Sequence, residues 1–293
     1  MKQSLLLILL LLSVSACANS PQPEQSGVVV QETHAFKDVV KTIKQKTTRY
    51  NSDNVLVVVD IDNTLLTSES DLGGDIWYQW QRGSLAVKPR EEQKVQCLFE
   101  DSISLLYELS PMVLTESALP AMINDWQQQG ITVFALTSRS PKTRSATERE
   151  LSRAGIDLSV TALSPIGQDA PLLREFIPRE MTYMQGIMMT SGMNKGAMLD
   201  YLLSKMQRQF KAIVFVDDSQ KNIDNLYEAY KGNGTIDMTI FHYNKVEEDR
   251  MKKNGAILSQ NQADEMAHQW DTLTALINSI YPSRSSGSCL SSN

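Results

Sequence analysis

The sequence predicts an α/β fold: a doubly wound parallel sheet with helices on both faces, and a small, mostly helical cap inserted after the first polar strand end. Three observations carry this. Val55–Val59, Ile131–Leu136 and Ala212–Val216 are unbroken apolar runs rich in β-branched residues, the pattern of strands buried on both faces. Helical patterns lie between them, and strands alternating with helices of that length make a parallel sheet. Each run ends in carboxylates or hydroxyls, and open α/β sheets bind ligands beyond the carboxyl ends of their strands.

The elements follow in chain order. Residues 1–16 read as a secretory signal peptide: Lys2 gives a positive start, Leu5–Leu12 is apolar and too short to span a bilayer, and small residues follow. Val14-Ser15-Ala16-Cys17 resembles a bacterial lipobox, with Cys17 as the lipidated residue. The chain is therefore expected to be exported and lipid-anchored in the cell envelope, towards the outer membrane. Residues 17–33, with Pro21, Pro23 and Gly27, read as the tether. A catalytic domain is expected over 34–282, and the Ser/Gly-rich 283–293 as a disordered tail.

Within the domain, the seventy-odd residues between the first two strong strands exceed one crossover, so about 67–115 is assigned to the cap. Leu158–Leu163, Gln185–Met189 and Ile236–Phe241 are weaker strand candidates. Helices are expected over Leu119–Gln129, stopped by Gly130, and from Ser140-Pro141 to Gly155. Others are expected from Lys195, capped by Asn194, and from Gln220 to Tyr230.

The net charge of −6 and the scatter of 28 Lys and Arg among acids argue against nucleic-acid binding. An acidic protein that handled phosphate would need locally concentrated positive charge. Cys97 and Cys289 could pair after export or remain free thiols.

The three strong strands end in Asp60-Ile61-Asp62-Asn63-Thr64, Thr137-Ser138-Arg139 and Asp217-Asp218-Ser219, and all three should meet at one rim of the sheet. Read singly, the first is also compatible with a solvated turn, Thr137 with a helix cap, and the paired aspartates with an acidic helix start. Together with Lys195 in Gly192-Met193-Asn194-Lys195-Gly196, they occur in the order of four motifs of the haloacid dehalogenase (HAD) superfamily. The chain resembles that superfamily over roughly residues 55–230.

The resemblance implies a Rossmann-like core and a Mg²⁺-dependent phosphomonoesterase acting on a small phosphorylated substrate. It casts Asp60 as nucleophile, forming an aspartyl-phosphate, and Asp62 as general acid and base. Thr137, Ser138 and Lys195 bind the phosphoryl group. Asp60, the main-chain carbonyl of Asp62, and Asp218 hold the metal, with Asp217 behind or in exchange for Asp218. A phosphotransferase, or a non-catalytic surface lipoprotein on the same scaffold, are the alternatives. Arg139 reads as an exposed residue that could touch substrate. Trp77, Tyr78 and Trp80 could stack on a leaving group or form the core of the cap. His34, His242 and His268 receive no role. Oligomeric state is not legible.

Overall fold

A computed structural model describes residues 27–283 and Cys289. The signal-peptide reading, the Cys17 anchor and the first part of the tether lie outside the described residues, as does most of the tail. The strands are β1 (Gly27–Thr33), β2 (Val55–Val59), β3 (Leu66–Ser68), β4 (Met112–Leu114), β5 (Thr132–Thr137), β6 (Leu173–Phe176), β7 (Glu180–Met184), β8 (Ile187–Met189), β9 (Ala212–Asp217) and β10 (Asp237–Tyr243). The α-helices are α1 (Phe36–Tyr50), α2 (Asp75–Gln81), α3 (Ile103–Leu109), α4 (Leu119–Gln128), α5 (Arg144–Arg153), α6 (Lys195–Lys205), α7 (Gln220–Tyr230), α8 (Lys245–Asn254) and α9 (Gln260–Ile280).

The central sheet has the order β1-β10-β9-β2-β5-β8-β7-β6. It is parallel from β1 to β8, and β7 and β6 add an antiparallel edge. This is the mixed α/β, mostly parallel sheet that the strand runs predict. Alternation along β2 shows why that run is apolar at every position. Val55, Val57 and Val59 pack with Phe36, Ile43, Ile123 and Trp126 on one face, while Leu56 and Val58 pack with Leu199, Leu202, Ile223 and Leu226 on the other. All five residues of β2 are fully buried. Burial of that kind contributes roughly 1.5–3 kcal/mol per large apolar side chain.

Three expectations change, and one open alternative closes. Residues 27–33 belong to the sheet and not to the tether: Val28, Val29 and Val30 form an edge strand, paired in register with Met238, Thr239 and Ile240. The β-branched run outweighs the polar composition around it. Leu158–Leu163 makes no strand. The Asp157 carboxylate accepts from the N–H and hydroxyl of Ser159 and turns the chain away, leaving Leu158 and Leu163 as buried anchors of a loop.

The segment assigned to the cap does leave and re-enter the core through the β3–β4 ribbon. It does not close its own core, however. Trp77, Trp80 and Leu106 pack with Ala263 and Met266 of α9 and with Trp270, so the C-terminal helix completes the cap. Finally, Cys97 and Cys289 form a disulfide across 192 residues, which fixes the tail to the cap at Cys289. Among the described residues no helix is long and apolar enough to cross a membrane.

Candidate active site

The carboxyl ends of β2, β5 and β9 lie side by side at the middle of the sheet. Asp60 still belongs to the ladder, since its N–H donates to the Val216 carbonyl at 2.9 Å. The chain then doubles back. The Ile61 carbonyl accepts from the N–H groups of Thr64, Leu65 and Leu66, and Asn63 takes φ 55°. Asparagine tolerates that left-handed turn.

Lys195 is the first residue of α6, whose cap is the Asn194 side chain accepting from Ala197 N–H at 3.0 Å. Its ammonium group is fully buried and bridges two carboxylates, 2.5 Å from Asp60 Oδ1 and 2.6 Å from Asp217 Oδ2. Gly196 lets α6 pack closely on α7: a β-carbon there would stand 2.5 Å from the Asn225 carbonyl. Burial alone would lower the lysine pKa, but Asp217 and Asp60 outweigh it and hold the group charged.

Asp217 is fully engaged. Besides Lys195 it accepts from Asn222 Nδ2 at 3.0 Å and from Ser219 N–H at 2.9 Å. Asp218 has no cationic partner among the described residues, and its main-chain carbonyl accepts from His242 Nε2 at 2.9 Å. Asp60, Asp217 and Asp218 each offer a carboxylate oxygen within 4.8 Å of the others.

Thr137 is buried; its Oγ1 accepts from Arg139 N–H at 3.1 Å, which leaves its own proton to donate. Ser138 is exposed beside it. The turn holding Thr137, Ser138 and Arg139 is clasped through their carbonyls by the N–H groups of Thr190, Gly192 and Ser191 respectively, so the segment leading to Lys195 is locked onto the end of β5.

Arg139 departs from expectation. Its side chain is 2% exposed and grips Asp62 with two N–H···O bonds of 2.8 Å, from Nε to Oδ2 and from Nη2 to Oδ1. Nη1 donates to Thr147, and the guanidinium lies 4.1 Å from the centre of the Tyr107 ring. Its donors are spent inside the protein. Trp77 and Trp80 face the cap core, which removes them as stacking groups, and Tyr78 packs edge-on to Phe99.

Three further residues went unseen in the sequence. Asp75, at the start of α2, accepts from Asn63 and Gln79 and reaches the carboxylate cluster from the cap. Tyr107 covers Arg139 from α3. Asn222 steadies Asp217. Gly73-Gly74 marks the turn before α2, but nothing local placed any of the three at the site.

Five carboxylates (Asp60, Asp62, Asp75, Asp217, Asp218) thus face two cations (Lys195, Arg139). Burial pushes the Asp60 carboxyl up to about 8, with Asp217 and Asp62 adding to the rise and Lys195 opposing it. Asp75 rises to about 6, first by burial and then through Asp62. Asp218 is raised well above the carboxylate range by burial and by Asp75, Asp217 and Asp60. An excess of buried negative charge with oxygen donors only fits a hard divalent cation.

Fold and site together define a mixed α/β protein with a buried lysine–carboxylate cluster at the carboxyl ends of a mostly parallel sheet. The chain belongs to the family described as protein of unknown function, DUF2608, whose family model matches residues 32–281. It is 26% identical over 174 residues to a Chlamydia pneumoniae protein named "Putative outer membrane protein", a match covering 59% of this chain and 63% of that relative, slightly under two thirds of its length. A Chlamydia trachomatis protein with the same printed name is 24% identical over 206 residues, covering 69% of this chain and 75% of the relative.

Proposed function

We propose that the chain is a HAD-type phosphatase, a Mg²⁺-dependent phosphomonoesterase working through an aspartyl-phosphate. The observation that carries this reading is the buried Lys195 between Asp60 and Asp217, with Asp218 beside them lacking a cation. A lysine so placed orients one carboxylate as nucleophile and adds positive charge for an incoming phosphoryl group.

In this reading an Asp60 oxygen bonds to phosphorus as the alcohol oxygen leaves and takes a proton from Asp62. Asp62 then removes a proton from water, whose oxygen attacks phosphorus and returns the Asp60 carboxylate and free phosphate. Thr137 Oγ, Ser138 and the Lys195 ammonium group would hold the phosphoryl oxygens. Asp60, Asp218 and the main-chain carbonyl of Asp62 would hold Mg²⁺, while Asp217, already bonded to Lys195, Asn222 and Ser219, would steady the lysine. The ion supplies charge neutralisation and substrate orientation when bound. Arg139 positions Asp62, which must turn from the guanidinium to reach a leaving group.

The relatives' printed names support a place in the cell envelope, and Cys17 would supply a lipid anchor there. Cys17→Ser should release the protein from membranes; unchanged membrane association overturns the anchor. For the activity, p-nitrophenyl phosphate hydrolysis should require Mg²⁺ and vanish in Asp60→Asn. Equal rates in wild type and variant, or no turnover across a broad panel of phosphomonoesters, overturn the enzyme and favour a binding module.

A further inference from the structure

The first helix of the core presents an outward face that is all polar and basic. α1 buries Phe36, Val39 and Ile43 against the sheet. Lys37, Lys41 and Lys44 recur at steps of four and three, which stacks them on the opposite face. All three are exposed, and their ammonium groups have no carboxylate partner among the described residues. Lys46 of the same helix is instead buried on Asp237 at 2.6 Å. Asp38, the single acid of α1, is turned off the stripe and accepts from the Thr33 hydroxyl at 2.8 Å. Gln45 and Thr48 complete the outward face, so it carries charge without an apolar ridge. In a chain whose net charge is −6, this stripe is a local reversal of sign.

The stripe also lies close to the proposed anchor. α1 flanks the edge strand β1, where Thr42, Gln45 and Arg49 line the same groove as Gly27, Val28 and Val29. Gly27 begins β1. The stretch from Cys17 to Gly27, about ten residues, spans at most roughly 35 Å when fully extended. α1 itself is about 22 Å long. A lipid held at Cys17 therefore keeps the whole helix within reach of the bilayer surface. A short covalent link makes the second contact intramolecular, so a modest charge attraction is enough to orient the protein.

We infer that α1 is a membrane-facing helix: Lys37, Lys41 and Lys44 rest on anionic phospholipid headgroups and set how the anchored protein stands on the bilayer. The reach argument rests on the Cys17 anchor proposed above; the charge argument does not. Each lysine near an anionic bilayer strengthens attachment by about fivefold. Without an apolar ridge to insert, the contact is peripheral and is erased by salt. α1 joins the parallel strands β1 and β2 and so runs antiparallel to them. With the helix flat on the bilayer, the strands run along the surface, and the rim that carries Asp60 opens sideways, parallel to the bilayer.

The test uses the full lipidated chain on vesicles of phosphatidylcholine alone or mixed with phosphatidylglycerol, with a quencher attached to the headgroups. One fluorophore is placed at Thr48→Cys on the lysine face, and another at Ser204→Cys on α6, which packs on the other side of the sheet. Cys97 and Cys289 are paired and take no label. On the mixed vesicles the first label should be quenched at least about twofold more than the second, and about 1 M salt should remove the difference by shortening the screening length to about 3 Å. Lys37→Glu, Lys41→Glu and Lys44→Glu together should also remove it, with urea unfolding unchanged. The same change in net charge at Lys88, Lys231 and Lys252 should leave it in place. Equal quenching of both labels, a difference that persists on phosphatidylcholine alone or in high salt, or its loss in the scattered variant overturns the inference. So does a stripe variant that loses self-association and keeps the quenching, which would assign the face to a second copy. Flotation with phosphatidylcholine vesicles reads the anchor separately. Failure to float there refutes lipidation of Cys17, and the quenching comparison on mixed vesicles still decides the helix.

Discussion

Arg139 and Asp62 meet side-on, Nε and Nη2 each 2.8 Å from a carboxylate oxygen, with the centre of the Tyr107 ring 4.1 Å from the guanidinium carbon. The arrangement is bidentate, which only arginine can make. It ties the turn after β2 to the turn after β5, 77 residues apart. We expect Arg139→Lys to behave much as Arg139→Ala does: kcat on p-nitrophenyl phosphate falls by about 10²-fold, with KM changed far less. An equal loss in KM would mean that the guanidinium contacts substrate after all.

Lys195 is the harder residue to remove. Its loss leaves Asp60 and Asp217 buried against each other. Lys195→Met should abolish turnover and also destabilise the protein by roughly 3–5 kcal/mol, the cost of breaking a buried pair. Adding Asp217→Asn should recover part of that stability without recovering activity. Urea unfolding of the single and double variants reads this out, and wild-type stability in Lys195→Met would show that the ammonium group is solvated.

The raised carboxyls set a pH dependence. Asp60 moves from 3.8 to about 8 and Asp75 from 3.8 to about 6, so the folded state binds more protons than the unfolded chain between those values. Metal-free protein should therefore lose stability as pH rises from about 4 towards about 8, the reverse of a salt-bridged carboxylate. A divalent ion bound by the folded state offsets the loss, and does so more at high pH. Thermal midpoints measured across that range with and without Mg²⁺ should diverge as pH rises. Parallel curves would argue against a cation at Asp60 and Asp218.

The Cys97–Cys289 disulfide closes a loop of 192 residues and holds the tail on the cap that α9 completes. Chain-entropy arguments assign such a crosslink up to about 5 kcal/mol. Reduction, or Cys289→Ser, should lower the thermal midpoint and raise protease sensitivity in α9 before the central sheet is cut. Loss of both regions together would show that cap and core unfold as one unit.

The strands that build the site were legible because each is buried on both faces. Val55–Val59, Ile131–Leu136 and Ala212–Val216 had to be apolar throughout, and the first polar residue after each marks its carboxyl end. From that pattern alone Asp60, Thr137 and Asp217 could be set on one rim. The helix that carries Lys195 was visible through its Asn194 cap, whereas the lysine's place at the site was implied only by the family resemblance.

What the tertiary structure alone decided are pairings between polar residues far apart in the chain. Nothing local distinguishes an arginine held by Asp62 from one in water, or marks Asp75 as facing Asp218 across a cavity. Nor does the pattern of α9 say that it closes over residues near Trp77, because an amphipathic face states only that it must be covered. Burial of an apolar run is a property of the run itself. The environment of a charge depends on which distant segments fold against it, and here those segments come from both sides of an insertion.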